Sequence, residues 1–373
     1  MSRETLRLQA RWIFPVDREP IERGVLEIEN GRITAVHARC DPRAVDLGDV
    51  AILPGLVNAH THLEFSDMPG PLAPPRPFSE WIRRVVAHRR GRTSQGVEAI
   101  RQGLSESLSV GVTALGEIAT TDVPAGLFTP DAPRAVVFRE LIGTTPERFE
   151  EQFDIAERHL TAASDEHVMR GISPHAPYSV HPELFERLVD LAARHRAPVA
   201  VHLAETQAEL ELLSRGTGEF VPLLKELGVW SDGAFPIGRR PLDWLQSLSR
   251  LDTALVIHGN SLAEDELDFL AKHPQLTVVY CPRTHAFFQH APHPWRALLR
   301  RGASVALGTD GRASNPDLSL WREVQFVHQR HPDFDPRALV ELATVRGARA
   351  LGLDAGTLTP GRPADLAVVS LPS

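Results

Sequence analysis

The segment PGLVNAHTHLEFS occupies residues 54–66. It contains most of a short apolar run of strand length, Ile52–Ala59, which passes directly into His60-Thr61-His62. Side chains alternate faces along an extended segment, so His60 and His62 project to the same side and can hold one ion together. A buried strand that ends in paired imidazoles suits the C-terminal face of a parallel barrel, where reactive groups gather.

Working outward, seven more runs of the same kind follow: Val112–Ala119, Ala135–Leu141, Met169–Pro174, Pro198–Leu203, Ala254–His258, Thr277–Cys281 and Ser304–Gly308. Most gaps are wide enough for a helix, and Ser79–Arg90, Pro182–Arg194 and Ala263–Lys272 carry helical patterns. Strand and helix therefore alternate as a parallel sheet demands, which predicts an α/β fold, a (β/α)8 TIM-type barrel. The oversized connection Thr206–Thr253 and the proline-rich stretch Pro69–Pro77 are expected over the barrel mouth, where long loops often act as substrate lids.

A barrel alone takes about 250 residues, so a chain of 373 has room for something smaller beside it. Leu6–Ala10, Gly24–Glu29 and Ile33–His37 read as short strands around an ENGRI turn, and the tail Gly356–Val369 has the same character. The expected organisation is a small composite β-sandwich domain from both chain termini, residues 1–50 and 356–373, flanking the (β/α)8 barrel over 51–355. With 42% apolar residues, 24% charged residues and a net charge of −8, the chain has no electrostatic footprint for nucleic acid or an anionic membrane. Cys40 and Cys281 are too few for a disulfide framework or a cysteine-based zinc site. Met1–Phe14 has no apolar run of signal-peptide length, and no stretch approaches the roughly 20 apolar residues of a membrane span. A cytoplasmic protein with a small-molecule partner is expected, and a homodimer is left open.

Polar residues stand at the ends of other runs as well. His175 follows the fourth, His202 ends the fifth with Glu205 three residues on, His258 ends the sixth, and Asp310 follows the eighth. His60, His62, His202 and Asp310 form a three-histidine, one-carboxylate set suited to one divalent ion, zinc first and Fe2+ or Mn2+ as alternatives. Such an ion brings the pKa of a water to roughly 7. Glu205 is placed to shuttle protons, and His258 and Asp310 to position and stabilise the attacking oxygen. The isolated His273, His290, His293, His328 and His331 read as surface or loop residues, Cys281 as a buried barrel residue, and His285 stays ambiguous.

Together with PGLVNAHTHLEFS, the strings SPHAPYS, VHLAET, VIHGN and LGTDGRASNPDLSL resemble the amidohydrolase superfamily. Within it they fit the branch of cytosine-, guanine- and adenosine-type aminohydrolases and chlorohydrolases. The resemblance covers essentially the whole chain, because that family also builds a β domain from both termini. It implies that His60, His62, His202 and Asp310 are metal ligands, Glu205 the proton shuttle and His258 the hydroxide-orienting residue. Binuclear members place a carboxylated lysine at the end of the fourth strand; His175 stands near there instead, which implies one metal.

For the substrate, the similar S-adenosylhomocysteine and methylthioadenosine deaminases contact the nucleoside through a PHAPY-type histidine and a tryptophan in a segment like FSEW, which points to His175 and Trp81. Their ribose-binding glutamate is replaced here by His88-Arg89-Arg90. HTHLEFS, WIRRVVAHRR and TDGRASN look more like the aminodeoxyfutalosine deaminases of menaquinone biosynthesis, whose substrate carries a benzoate. That resemblance adds Glu64, Arg89 and Arg90 to the substrate-binding set, with Arg89 or Arg90 offering a bidentate guanidinium. CPRTHAFF departs from the branch's usual CPxSN, and His285, Arg139, Arg283 and Arg312 are the next readers of a carboxylate.

The expected reaction is hydrolytic deamination of a 6-aminopurine nucleoside, with hydroxide adding at C6 while Glu205 protonates N1 and then the leaving amine. Rival reactions at the same site are deamination of guanine, cytosine, a pterin or S-adenosylhomocysteine/methylthioadenosine, chloride displacement from a triazine, and opening of a cyclic amide. A non-catalytic barrel scaffold is the rival outside enzymology, and lost ligands would mark it.

Overall fold

The computed structural model describes residues 5–39, 41–91, 96–124, 126–163, 165, 167–230 and 237–371, so Cys40 and residues 231–236 of the long connection lie outside the described residues. The N-terminal strands are β1 (Leu6–Gln9), β2 (Trp12–Ile13), β3 (Ile21–Glu22), β4 (Val25–Glu29), β5 (Arg32–His37), β6 (Val45–Asp46) and β7 (Val50–Pro54). The barrel strands are β8 (Leu56–Thr61), β9 (Val112–Ala119), β10 (Arg134–Leu141), β11 (Val168–Pro174), β12 (Val199–Leu203), β13 (Ala254–His258), β14 (Leu276–Tyr280) and β15 (Ser304–Leu307). A last strand, β16 (Leu366–Ser370), follows.

The helices are α1 (Phe78–Gly91) and α2 (Val97–Ser109) after β8, α3 (Phe149–Thr161) after β10, and α4 (Pro182–His195) after β11. The long connection holds α5 (Gln207–Arg215), α6 (Phe220–Glu226) and α7 (Pro241–Leu248). Then come α8 (Glu264–Lys272), α9 (Pro282–Phe287), α10 (Trp295–Arg300), α11 (Leu320–Arg330), α12 (Pro336–Leu342) and α13 (Val345–Leu351). Among the described residues no helix is long and apolar enough to cross a membrane.

Strands β8 to β15 form one parallel sheet in chain order. Its edges meet where the N–H groups of Thr309 and Asp310 donate to the carbonyl of His60, both at 3.1 Å. The eight-fold barrel predicted from the alternating runs is thus present, and it is stitched shut beside the paired histidines. Its strands are apolar on both faces, as parallel strands covered by helices must be. Outward side chains such as Leu115, Val137, Val201 and Val256 pack under the helices. Inward ones such as Ala59, Phe138, Leu255 and Ile257 fill the barrel, which α13 plugs with Ala348 and Leu351. Each fully buried Val or Leu contributes about 1.5–3 kcal/mol. Cys281 is buried in this inner core, as the sequence implied.

The first apolar run divides in two. Val50–Pro54 leaves the barrel to pair with β16 and β2, and only Leu56–Thr61 is the barrel strand. Gly55 stands at the break, where a β-carbon would overlap the side chain of Thr113. The other small sheet runs β5-β4-β1-β6. The two sheets share an apolar cluster that includes Ile13, Leu26, Ile33, Ile52 and Leu358.

The segments expected over the mouth serve two purposes. Helix α7 belongs to the outer layer through Trp244, Leu245 and Leu248, whereas α5 and α6 pack with Phe78, Tyr178 and Phe288 above the strand ends. The proline-rich stretch crosses the rim, where Leu72 N–H donates to Ala313 O at 2.9 Å and Arg76 Nε to Phe288 O at 2.6 Å.

Candidate metal and active site

Four strand ends bring His60, His62, His202, His258 and Asp310 together. His60 Nε2 and His62 Nε2 lie 3.4 and 3.5 Å from Asp310 Oδ1, and His62 Nε2 lies 3.4 Å from His202 Nε2. Two overlapping trios, His60–His202–His258 and His60–His62–Asp310, have ligand atoms within 4.8 Å of one another. His202 and Asp310 are aimed by hydrogen bonds to neighbouring groups. His202 Nδ1 pairs with the carbonyl of His175 at 3.1 Å, which places the ring proton there and leaves Nε2 as a lone pair facing the centre. Ser314 Oγ donates to Asp310 Oδ2 at 2.5 Å, so Oδ1 is the oxygen turned toward the histidines. Asn58 exchanges hydrogen bonds with Thr309 at 2.7 and 3.0 Å, pinning the first strand to the last.

This donor set fits a divalent cation. Both ring nitrogens of His60 and Nδ1 of His62 are buried without a hydrogen-bond partner, a costly arrangement unless something else satisfies them. Burial, and then the neighbouring imidazoles, push His62 and His202 well below the ordinary histidine range, and burial brings His258 down to about 3. The rings are therefore neutral near pH 7, the state that binds metal. Burial opposes ionisation of Asp310, but His60, His62 and His258 outweigh it and hold the carboxyl below the usual carboxylate range. Imidazole nitrogens and one carboxylate are what zinc, iron or manganese accepts.

Glu205 sits in the same cavity, with Oε1 3.5 Å from His258 Nε2. Burial, and then Asp310 and Glu209, push its carboxyl well above the usual range. Its backbone is clamped by groups that sequence reasoning passed over. Glu209 accepts from the N–H groups of Ala204 and Glu205, both at 2.9 Å, and Asn260 Nδ2 donates to Glu205 O at 3.0 Å. The signal for Glu209 was in the chain: Thr206-Gln207-Ala208-Glu209 is a capping-box pattern, and Thr206 does cap α5. Glu117, alone in an apolar run, was equally visible; both its oxygens accept from Leu63 N–H, at 3.1 and 3.0 Å, and fix the turn after His62. Ala204, His258 and Asp310 all have positive φ, at 54°, 67° and 57°, strained values for residues other than glycine that cluster at functional sites.

Above the centre the cavity measures about 330 Å3. His62, Trp81, Arg89, Arg90, His175, His202, Glu205, His258 and Asp310 line it, whereas His60 and Glu64 do not. Trp81 is fixed by Nε1–H donating to Ala313 O at 3.1 Å, and His175 by Nδ1 at 2.7 Å from Ser179 Oγ. Glu64 and Arg89 bind each other, Nη2 to Oε1 at 2.6 Å, and Arg89 Nη1 lies 3.9 Å from Glu140. The fallback residues His285, Arg139, Arg283 and Arg312 do not line the cavity. Arg283 is engaged by Glu323 and Asp317, and Arg312 by Glu106. Of the histidines read as surface or loop residues, His328 is exposed and His273, His290 and His331 are half-buried. His293 departs from that reading: it is buried, because Nε2 bonds the carbonyl of His258 at 2.7 Å.

Fold and site together define a barrel hydrolase of the kind that carries a divalent ion at its strand ends. The amidohydrolase family pattern matches residues 51–373, and the chain belongs to that family. It is 31% identical over 382 residues to a 5-methylthioadenosine/S-adenosylhomocysteine deaminase of Syntrophobacter fumaroxidans, covering 95% of this chain and 81% of that one. It is 31% identical over 324 residues to an aminodeoxyfutalosine deaminase of Deinococcus radiodurans, covering 83% and 75%. The crystal structure of an adenosine deaminase from Xanthomonas campestris with bound zinc superposes with a TM-score of 0.79 at 27% identity, over 99% of this chain and 85% of that one.

Proposed function

We propose that this protein hydrolytically deaminates a 6-aminopurine nucleoside, with 6-aminodeoxyfutalosine, an intermediate of menaquinone biosynthesis, as the foremost substrate. The observation that carries the reading is Glu205, a buried carboxyl held 3.5 Å from His258 in the same cavity as the His and Asp donor set. His60, His62, His202 and Asp310 would hold one divalent ion, zinc by the chemistry of the donors. Such an ion makes hydroxide available near neutral pH.

Glu205 protonates ring N1, which makes C6 electrophilic, then takes up the remaining proton of the oxygen added at C6 and passes it to the departing amine, so that ammonia leaves and a 6-oxopurine remains. His258 orients the attacking oxygen beside Glu205. Asp310 offers Oδ1 alone, because Ser314 occupies Oδ2. Trp81 and His175 are assigned to the nucleoside. The deaminase activity of the relatives supports the reaction, and the scarcity of cysteine supports a cytoplasmic enzyme.

Substrate choice rests on the wall. Leu223, Leu224 and Leu227 of the α6 region line the cavity together with Trp81, Ile82 and Val85 of α1, which suits an apolar or aryl 5′ substituent. Arg89 is engaged by Glu64, so Arg90, exposed and on the cavity lining, is the better reader of a benzoate carboxylate. A specific observation favours a second reading: the same apolar wall would take the thioether of methylthioadenosine with no carboxylate at all.

Ammonia release from 6-aminodeoxyfutalosine, methylthioadenosine and adenosine tests the proposal. A charge-assisted contact predicts that the benzoate-bearing nucleoside exceeds adenosine by about 10- to 150-fold in kcat/KM, and that Arg90→Met erases the preference while Arg89→Met does not. Preference for methylthioadenosine selects the second reading. Silence with all three nucleosides, while guanine, cytosine or a chlorotriazine reacts, overturns the nucleoside assignment.

A further inference from the structure

At the rim of the barrel, between α9, α10 and the end of α11, lies a second cavity of about 800 Å3 that shares no lining residue with the catalytic one. Three arginines, Arg296, Arg300 and Arg330, and four histidines line it, and no Asp or Glu does. On a chain with net charge −8, such a concentration of cations does not follow from composition.

Arg296 is engaged by Asp333 through both Nη atoms, at 3.2 and 2.6 Å. Arg300 and Arg330 have no carboxylate partner among the described residues. The Arg330 guanidinium lies 3.7 Å from the centre of the Phe326 ring, which leaves its N–H edge for a ligand. A second, independent observation comes from His290: its Nε2 is buried and has no hydrogen-bond partner. Its ring therefore adds a polar group to the cationic wall that no residue of the protein engages at that nitrogen.

We infer that this cavity is a binding site for a phosphate dianion, free or carried on a small metabolite, with Arg300 and Arg330 as the charged contacts. Guanidinium forks match phosphate oxygens in geometry as well as charge. The site is also tied to the catalytic centre. Trp295 N–H donates to His293 Nδ1 at 2.9 Å, so the ring proton sits on Nε2 and is donated to the His258 carbonyl at 2.7 Å. A ligand on this wall lies close to a ring that is one hydrogen bond from the backbone of His258.

The test is calorimetric titration of the metal-loaded protein with inorganic phosphate and, separately, with ribose 5-phosphate, which lacks a base to enter the catalytic cavity. Saturable binding is expected, weakened about tenfold or more by Arg300→Met and by Arg330→Met, while ammonia release by both variants is unchanged. Tighter binding of ribose 5-phosphate identifies the occupant as a phosphorylated metabolite, and equal affinity identifies the phosphate group alone. Arg215→Met, on α5, serves as the control and should bind as the parent does. Absence of saturable binding overturns the proposal. So does undiminished binding in both cavity variants, which would place the anion on the metal, and so does an equal loss in the Arg215 variant, which would reveal unspecific surface charge.

Discussion

The floor and the outer wall of the catalytic cavity are held in place by different physics. The floor is a set of side chains on strand ends whose backbones are tied across the sheet, as where Thr309 and Asp310 bond the carbonyl of His60. The wall is made by α1 and α6, joined by apolar contacts and by polar links at their rims: Ser79 to Glu219 at 2.9 Å and Arg83 to Glu226 at 2.7 Å. Floor groups lose their partners if they move, so their geometry is over-determined. Wall groups mostly trade one apolar neighbour for another. The proposed assignment thus puts chemistry in the part that cannot drift and substrate choice in the part that can be rebuilt.

The sharpest way to break this contrast is to remove a proposed metal ligand from the floor. His60→Ala or His202→Ala should lose the ion together with activity, where the parent holds about one equivalent by elemental analysis; two equivalents, or activity without either imidazole, would show the ligand set to be wrong. Next in size is Glu205→Gln, expected to keep the metal and lower kcat by at least about 100-fold in steady-state assays. A mild effect would make Glu205 a structural carboxylate. Glu209→Ala strips two buried N–H groups of their acceptor and should cost on the order of 1–3 kcal/mol in urea unfolding, with turnover reduced through the loosened Glu205 loop. The wall should answer more softly. Leu224→Ala is expected to raise KM for a 5′-substituted nucleoside by about tenfold, the effect of losing 1–2 kcal/mol of apolar burial, and to leave kcat and adenosine little changed. Smallest of all, Glu226→Gln should shift stability by less than about 1 kcal/mol, because the ion pair it breaks is solvent-exposed.

The same contrast explains what could be read in the chain. Floor residues announce themselves, because a polar side chain ending an apolar run has no structural reason to be there; His60, His62, His202, His258 and Asp310 converge as that logic expects. Glu117 and Glu209 carried the same kind of signal more faintly. The wall did not announce itself. That Glu64 pairs with Arg89 depends on how α1 crosses the mouth, and His293 is buried only because the turn after α9 folds onto β13. The break at Gly55 was hidden for a related reason: Ile52–Ala59 is continuously apolar, although its two halves bury against different sheets.

One further consequence follows from the pairing of β7 with β16. Residues 50–54 run through Gly55 into the strand that carries His60, yet one edge of β7 is closed only by residues 366–370. A chain emerging from the ribosome exposes that edge until nearly all of the barrel has been made. The footing of the first histidine pair is thus completed only after every barrel strand has been made. Until then the nascent protein presents an unpaired strand edge, the kind of surface that recruits chaperones or another copy of itself.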